Sequence, residues 1–415
     1  MRSLAGGSDI PDVRSATGDL MSRPGVVAVA LLAGVLAAGH VGKLPLALPS
    51  IRAELHLDLV AAGWLASIFS ATGMVIAIFL GAASDRINHW RMAVGGLALM
   101  AVSGFGGSLA STMTQLLISR FLEGVGFLAV VVAAPSMIAR AASGRARSTA
   151  LGLWPGYMPA GITIMILAAP FVLKFGGWRA LWALIATATA AVAVAMLMFG
   201  AKASPRDARA DTGATPWENF RAGISQAGAW YVAGAFALYG AQLYAIVTWM
   251  PTFMMEQRGV GPATAAGLTA FAVVANGLCN ILGSALLQRG MAPWLMMAAS
   301  GVVMLVSAAG AFTELTPDLV RYACSVILCG AGGVVASGAF AIAPSFARSP
   351  TQIGTVNGIL VQASNVAQFV GPTALAATVA RFGRWESAFW LMVGANILLV
   401  LLAQLVHRQE KLLPV

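Results

Sequence analysis

Apolar stretches of about 20 residues recur along this chain, and each is long enough to cross a bilayer as a helix. They fall near 25–50, 60–83, 91–111, 114–139, 148–173, 178–200, 228–254, 263–287, 293–313, 319–344, 354–380 and 386–406. Such repetition leaves few folds open, because a backbone in lipid must satisfy its own hydrogen bonds, and helices do so within one segment. The composition agrees. Only 10% of the 415 residues are charged and 59% are hydrophobic, against about 25% charged in a soluble domain. The expected fold is an all-α membrane protein of twelve transmembrane helices.

An even number of spans puts both ends on one side. Segments on that side hold sixteen of the Lys and Arg residues and the opposite segments hold seven. The excess marks the cytoplasmic side, so both termini are expected there. The net charge of +10 is read as this topology signal. A nucleic-acid partner would need a basic stripe with interleaved aromatics, and none is expected. Cys279, Cys324 and Cys329 lie in apolar spans without metal-ligand or disulfide spacing. His40, His56, His89 and His407 are scattered. No metal, no cofactor and no enzymatic activity is expected.

The boundaries follow. Residues 1–24 are polar and read as a cytoplasmic tail; a signal peptide is the alternative, with Ala37-Ala38-Gly39 as its cleavage region. A six-span unit covers 25–200, a cytoplasmic loop 201–227, a second six-span unit 228–406 and a cytoplasmic tail 407–415. The units repeat. Phe175-Gly176-Gly177-Trp178 and Phe382-Gly383-Arg384-Trp385 stand 207 residues apart, and Gly152 and Gly358 stand 206 apart. Both copies run the same way, so the repeat is parallel. Transporters built from repeats hold substrate at the midplane between them.

Ionisable residues deep in spans are costly, at roughly 2.5–3.5 kcal/mol for a centrally placed Lys or Arg. Lys43 in the first span and Arg120 in the fourth are the deep cations, and Glu123 follows Arg120 by three residues. That spacing lets Glu123 neutralise Arg120, which leaves Lys43 without an evident acidic partner. Lys43 then either recruits a small anionic substrate or snorkels to the interface. His40 shares its helical face, as a packing residue or a titrating group. The second unit offers amides and aromatics instead.

Between spans two and three stands Gly81-Ala-Ala-Ser-Asp85-Arg86-Ile-Asn88-His-Trp90-Arg91. It resembles the signature loop of the major facilitator superfamily, G-x-x-x-D-R-x-G-x-R-R. Gly81, Asp85, Arg86 and Arg91 match; Asn88 replaces a glycine and Trp90 a basic residue. Asn tolerates a left-handed turn better than other side chains, so the turn is expected to survive. Arg120-Phe121-Leu122-Glu123-Gly124-Val125-Gly126 is similar to the family's span-four pattern, and Phe175 to Arg179 to its usual start of span six. Gly42 to Leu55, followed by Ala62-Gly63-Trp64-Leu65, looks like the cyanate/nitroimidazole permease and organic-anion group. The drug-antiporter pattern G-x-x-x-G-P-x-x-G-G is not met at Gly152 to Gly161.

The resemblance implies two six-helix bundles that rock around a central path lined by spans 1, 4, 7 and 10. It implies a bacterial inner-membrane protein, expected as a monomer. Substrate contacts are expected from Lys43, His40, Arg120, Trp154, Tyr157, Tyr239, Gln242, Asn276, Asn280, Gln362 and Asn365. Gly81, Asp85, Arg86 and Arg91 would form the gating loop. Glu123 and His40 are the candidate proton-coupling groups, since no oxygen-rich sodium site is visible. The expected activity is proton-coupled transport of a small anion, an organic acid or cyanate-like ion; facilitated diffusion or exchange is the rival. The alternative is export of amphipathic drugs or metabolites by proton antiport.

Overall fold

A computed structural model describes residues 23–84, 88–200, 225–313, 316–347 and 353–412. Asp85 and Arg86 of the signature loop lie outside the described residues, as do 1–22 and 201–224. The described elements are helical: α1 (Pro24–Gly42), α2 (Leu44–Leu55), α3 (Leu59–Ser84), α4 (His89–Ser108), α5 (Met113–Ala141), α6 (Gly144–Leu153), α7 (Tyr157–Gly200), α8 (Ala227–Arg258), α9 (Pro262–Gln288), α10 (Pro293–Ala311), α11 (Asp318–Ile342), α12 (Ile353–Phe382) and α13 (Ala388–Glu410). Short 3-10 turns precede α7 at Trp154–Gly156 and α13 at Trp385–Ser387, and another follows α11 at Ala343–Phe346.

Two differences from simple spans have local causes. The first crossing keeps helical dihedrals through Lys43 (φ −69°, ψ −30°), but its hydrogen-bond ladder is interrupted there, between α1 and α2. Pro45 follows, and a proline inside a helix removes one backbone donor and crowds the preceding turn. Conversely, α7 runs for 44 residues, about 66 Å at 1.5 Å per residue, twice the ~30 Å hydrocarbon core. Gly177, at φ 64° and ψ −171°, interrupts it. The chain turns back there: a side-chain carbon built on Gly39 of α1 would stand 3.8 Å from Gly161 O and 3.1 Å from Ile185 Cδ1. Gly383, 206 residues later, has φ 70° and closes the matching crossing of the second bundle.

Among the described residues eight stretches are long and apolar enough to cross a membrane by length and composition, and one of them, Thr149–Met198, contains the Gly177 kink. Helices α3, α4 and α12 complete an arrangement consistent with twelve crossings. Asn88 departs from expectation. It is not left-handed, at φ −59°; it caps α4 instead, its Oδ1 accepting from the backbone N–H of Trp90 at 2.9 Å and of Arg91 at 3.3 Å. A short side-chain oxygen satisfies the orphan donors of a helix start.

The first bundle comprises α1–α7 and the second α8–α13. They meet along α3 and α12, where Ser67 and Thr373 share a 2.6 Å hydrogen bond and Ser70 donates to Gln368 at 3.2 Å. They meet again where Gly277 of α9 packs on Pro159 of α7. Buried apolar residues form two cores. One joins the second bundle to the far end of the first, the end carrying Leu48, Ile51, Trp178 and Trp182. The other, from Ala30 through Leu97 and Met137 to Met196, belongs to the first bundle alone at the end where α1 starts. The bundles are thus sealed together at the far end. There Arg52 Nη1 of α2 meets Glu256 Oε1 of α8 at 2.7 Å.

Close helix contact rests on specific glycines. A Cβ at Gly161 would meet Ala38 Cβ at 2.6 Å and Gly39 N at 3.0 Å, whereas Gly152 and Gly156 have nothing within 4 Å. Gly161→Val should therefore destabilise by about 1–3 kcal/mol through overpacking, lowering the midpoint of a detergent thermal melt, while Gly152→Ala should leave it unchanged or slightly higher. At the far end, an exposed ion pair contributes about 0.2–1 kcal/mol. Arg52→Gln should accordingly raise labelling of a far-end cysteine by a membrane-impermeant thiol reagent, by at most roughly fivefold; unchanged labelling would show that the apolar core alone seals that end.

Candidate functional site: a buried charge cluster

Lys43 stands one helical turn past His40, and both point toward α5. There Arg120 and Glu123, three residues apart, face back. Glu123 Oε1 lies 2.5 Å from Lys43 Nζ, and Glu123 Oε2 accepts from Arg120 Nη1 at 2.8 Å. Arg120 Nη1 also donates to the backbone carbonyl of His40 at 2.6 Å. All four side chains are buried, none more than 1% exposed.

The hydrogen bonds assign the imidazole. Thr189 Oγ1 donates its single proton to Ile185 O at 2.8 Å. His40 Nε2, 3.0 Å from Thr189 Oγ1, is therefore the donor in that pair. Nδ1 is left with a lone pair and accepts from Lys43 Nζ at 3.3 Å. The Lys43 ammonium stands 4.3 Å from the centre of the Trp182 ring, a cation–π contact.

This corrects the expectation for Lys43. It neither snorkels nor lacks an acid: it is 0% exposed and paired with Glu123. The i,i+3 argument assigned Glu123 wholly to Arg120, but a carboxylate has two oxygens, and each serves one cation. The direction of the cluster is a second finding. Trp182 and Thr189 belong to the second limb of α7, and a methyl at Gly104 of α4 would stand 3.4 Å from Glu123 Oε1. The charges therefore face the interior of the first bundle. Trp182, Thr189 and Gly104 went unnoticed in the sequence, because small or aromatic residues in an apolar run have no contrast with their neighbours.

The remaining candidates separate into three groups. Trp154 and Tyr157 stack, centroids 4.5 Å apart, and Trp154 packs on Gly34 of α1. Across the molecule Asn276 Nδ2 donates to Tyr239 Oη at 3.1 Å and to Cys329 O at 2.7 Å, while the backbone carbonyl of Asn280 accepts from Ser337. On the α3–α12 seam, Gln362 Nε2 donates to Met74 O, and Asn365, donating to Val361 O at 3.0 Å, lies against Gly73. Gln242 stands apart: its amide is paired both ways with Asn396 of α13, at 2.9 and 3.1 Å. Of the gating residues, Gly81 is in the last turn of α3 and Arg91 is exposed in the first turn of α4.

The Major Facilitator Superfamily profile matches residues 30–372. Among curated relatives, an uncharacterized MFS-type transporter of Bacillus subtilis, YwoD, is 31% identical over 139 residues, 34% of this chain and 30% of that protein. The chain thus matches about a third of the length of the first such relatives. The cis,cis-muconate transport protein of Acinetobacter baylyi is 31% identical over 140 residues, 34% of each chain. The multidrug resistance protein MdtL of Escherichia fergusonii is 26% identical over 369 residues, 86% of this chain and 90% of that protein. A solved bacterial homolog of the human lysosomal transporter Spinster, inward-facing and unoccupied, superposes with a TM-score of 0.78 at 17% identity, over 95% of this chain and 98% of that one. From the profile over most of its length and the fold it shares, the chain belongs to the Major Facilitator Superfamily.

Proposed function

We propose that this secondary transporter moves a small organic anion together with a proton, by alternating access, across a bacterial inner membrane with both chain ends in the cytoplasm. One observation carries the reading: two cations, Lys43 and Arg120, surround a single buried carboxylate, Glu123. With His40 neutral, the cluster holds one formal positive charge in an apolar interior. Such a charge favours an anion nearby.

The same arrangement supplies a coupling route. A proton arriving on Glu123 Oε1 removes the acceptor of Lys43 and raises the cluster to two positive charges. Anion binding then becomes more favourable, and by linkage a bound anion favours the proton to the same extent. His40, bonded to Lys43 and 3.3 Å from Glu123 Oε1, is placed to pass that proton. The relative named as a cis,cis-muconate transport protein supports an anionic substrate. So do the sixteen-to-seven distribution of basic residues for the orientation and the bacterial relatives for the membrane. The expected working unit is a monomer.

A second reading, export of amphipathic compounds by proton antiport, draws support from the likeness to MdtL over most of the chain and from the stacked Trp154 and Tyr157. A thermal-shift panel separates the two: carboxylates stabilise the purified protein under the first reading, lipophilic cations under the second.

Charge balance fixes an order of stability. Glu123→Gln leaves two buried cations uncompensated and should cost about 3–5 kcal/mol. Lys43→Gln leaves Arg120 and Glu123 still paired, so its thermal midpoint should fall less; the reverse order would refute the assignment of Glu123 as the shared counter-ion. In proteoliposomes, an imposed inward-acid gradient should drive accumulation of a monocarboxylate, and a protonophore should abolish it. In His40→Ala the gradient should drive less accumulation. Uptake that ignores the gradient in wild type would end the proton-coupled reading.

A further inference from the structure

Arg120 is separated from the space between the bundles by a single side chain. Its guanidinium carbon lies 4.6 Å from the centre of the Phe69 ring. Phe69 in turn borders a narrow gap between the bundles, whose opposite wall is Asn365 and Gln368 of α12. Arg120 does not reach that gap, and the gap leaves no room for a water molecule. Yet Arg120 Nε is buried with no hydrogen-bond partner among the described residues. A buried, charged donor without an acceptor is unfavourable, so this edge of the guanidinium is short of a ligand.

The wall opposite is able to share one. The Asn365 amide nitrogen spends one N–H on Val361 O, and that of Gln368 spends one on Ser364 Oγ. Each amide nitrogen has two N–H groups, so one on each remains. The Phe69 backbone is fixed: its carbonyl lies against Gly124 of α5 and accepts from Thr72 Oγ1 at 3.1 Å. The ring, resting on Phe127 at 5.2 Å between centroids, is what is left to move by a change of rotamer.

We propose that Phe69 is a shutter over an anion subsite. With the ring turned aside, the Arg120 guanidinium borders the gap, and a small carboxylate fits between it and the amides of Asn365 and Gln368. The subsite rests on the anion reading of the preceding section and adds its location and its gating residue. The carboxylate would then contact both bundles, one through a charge and the other through amides. In the described conformation the shutter is closed, so the apparent affinity is the intrinsic affinity reduced by the fraction of open molecules.

The test is titration of purified protein with benzoate and with acetate by calorimetry, with tetraphenylphosphonium as the cationic control. Phe69→Ala removes the shutter and should tighten benzoate binding about three- to tenfold, with no gain for tetraphenylphosphonium. Phe69→Leu, a milder change that retains packing volume, should give a smaller gain in the same direction and covers poor folding of the alanine variant. Phe69→Ala combined with Arg120→Lys, which keeps the charge but loses the Nε edge, should lose the gain; so should the combination with Gln368→Leu. Wild-type affinity in Phe69→Ala and Phe69→Leu, or a gain that survives Arg120→Lys, overturns the shutter. If wild type binds benzoate while the Phe69 variants gain nothing, the shutter alone falls. If neither wild type nor variants bind either carboxylate, the anion reading falls with it.

Discussion

Glu123 holds the first bundle together at its most unfavourable point. Lys43 and Arg120 sit in an apolar interior, where the desolvation of one ion costs several kcal/mol. One carboxylate offsets much of that for both, an oxygen for each, while the carbonyl of His40 and the face of Trp182 take the remaining charge density. Much else follows from making room for it. Gly104 lets α4 pack closely on Ala186 beside the cluster, and Gly124 lets α3 press against α5 next to Glu123.

The second bundle solves the same problem of polarity in another way. Its central buried polar contacts include neutral, reciprocally bonded pairs, the Gln242–Asn396 amides and the Tyr239–Asn276 contact, while its buried Arg321 is paired with Glu386 at 3.0 Å. Neutral pairs need no counter-ion, so this bundle packs as one core that continues across the far end into its partner. Hydroxyls and amides along α3 and α12 join the bundles, and each has more than one donor or acceptor site available for other partners.

The crossings were legible because twenty apolar residues have few other uses, and the ends of the fifth and eleventh spans were legible from the repeated Phe-Gly-x-Trp at Phe175 and Phe382. The interruption at Lys43 was not, since the apolar run continues through it to Pro49. Within the site, the charged residues announced themselves by being out of place. Their partnership did not: a three-residue spacing within α5 was visible in sequence, while the 80-residue separation of Lys43 from Glu123 arises only from packing. Phe69, Trp182 and Thr189 were hidden for the opposite reason, being ordinary residues of membrane helices. Asn88 was read for its backbone tolerance, and the structure uses its side chain instead.

The asymmetry between the bundles has an electrical consequence. Lys43, Arg120 and Glu123 together carry one formal charge, whereas among the described residues of the second bundle the buried Arg321 is neutralised by Glu386. A cell membrane applies a potential across this interior, worth about 2.3 kcal/mol per elementary charge per 100 mV over its full thickness. Any rocking that carries the first bundle along the membrane normal moves that charge through part of the field. Under the proposed alternating access, the energised membrane biases which end of the molecule is open.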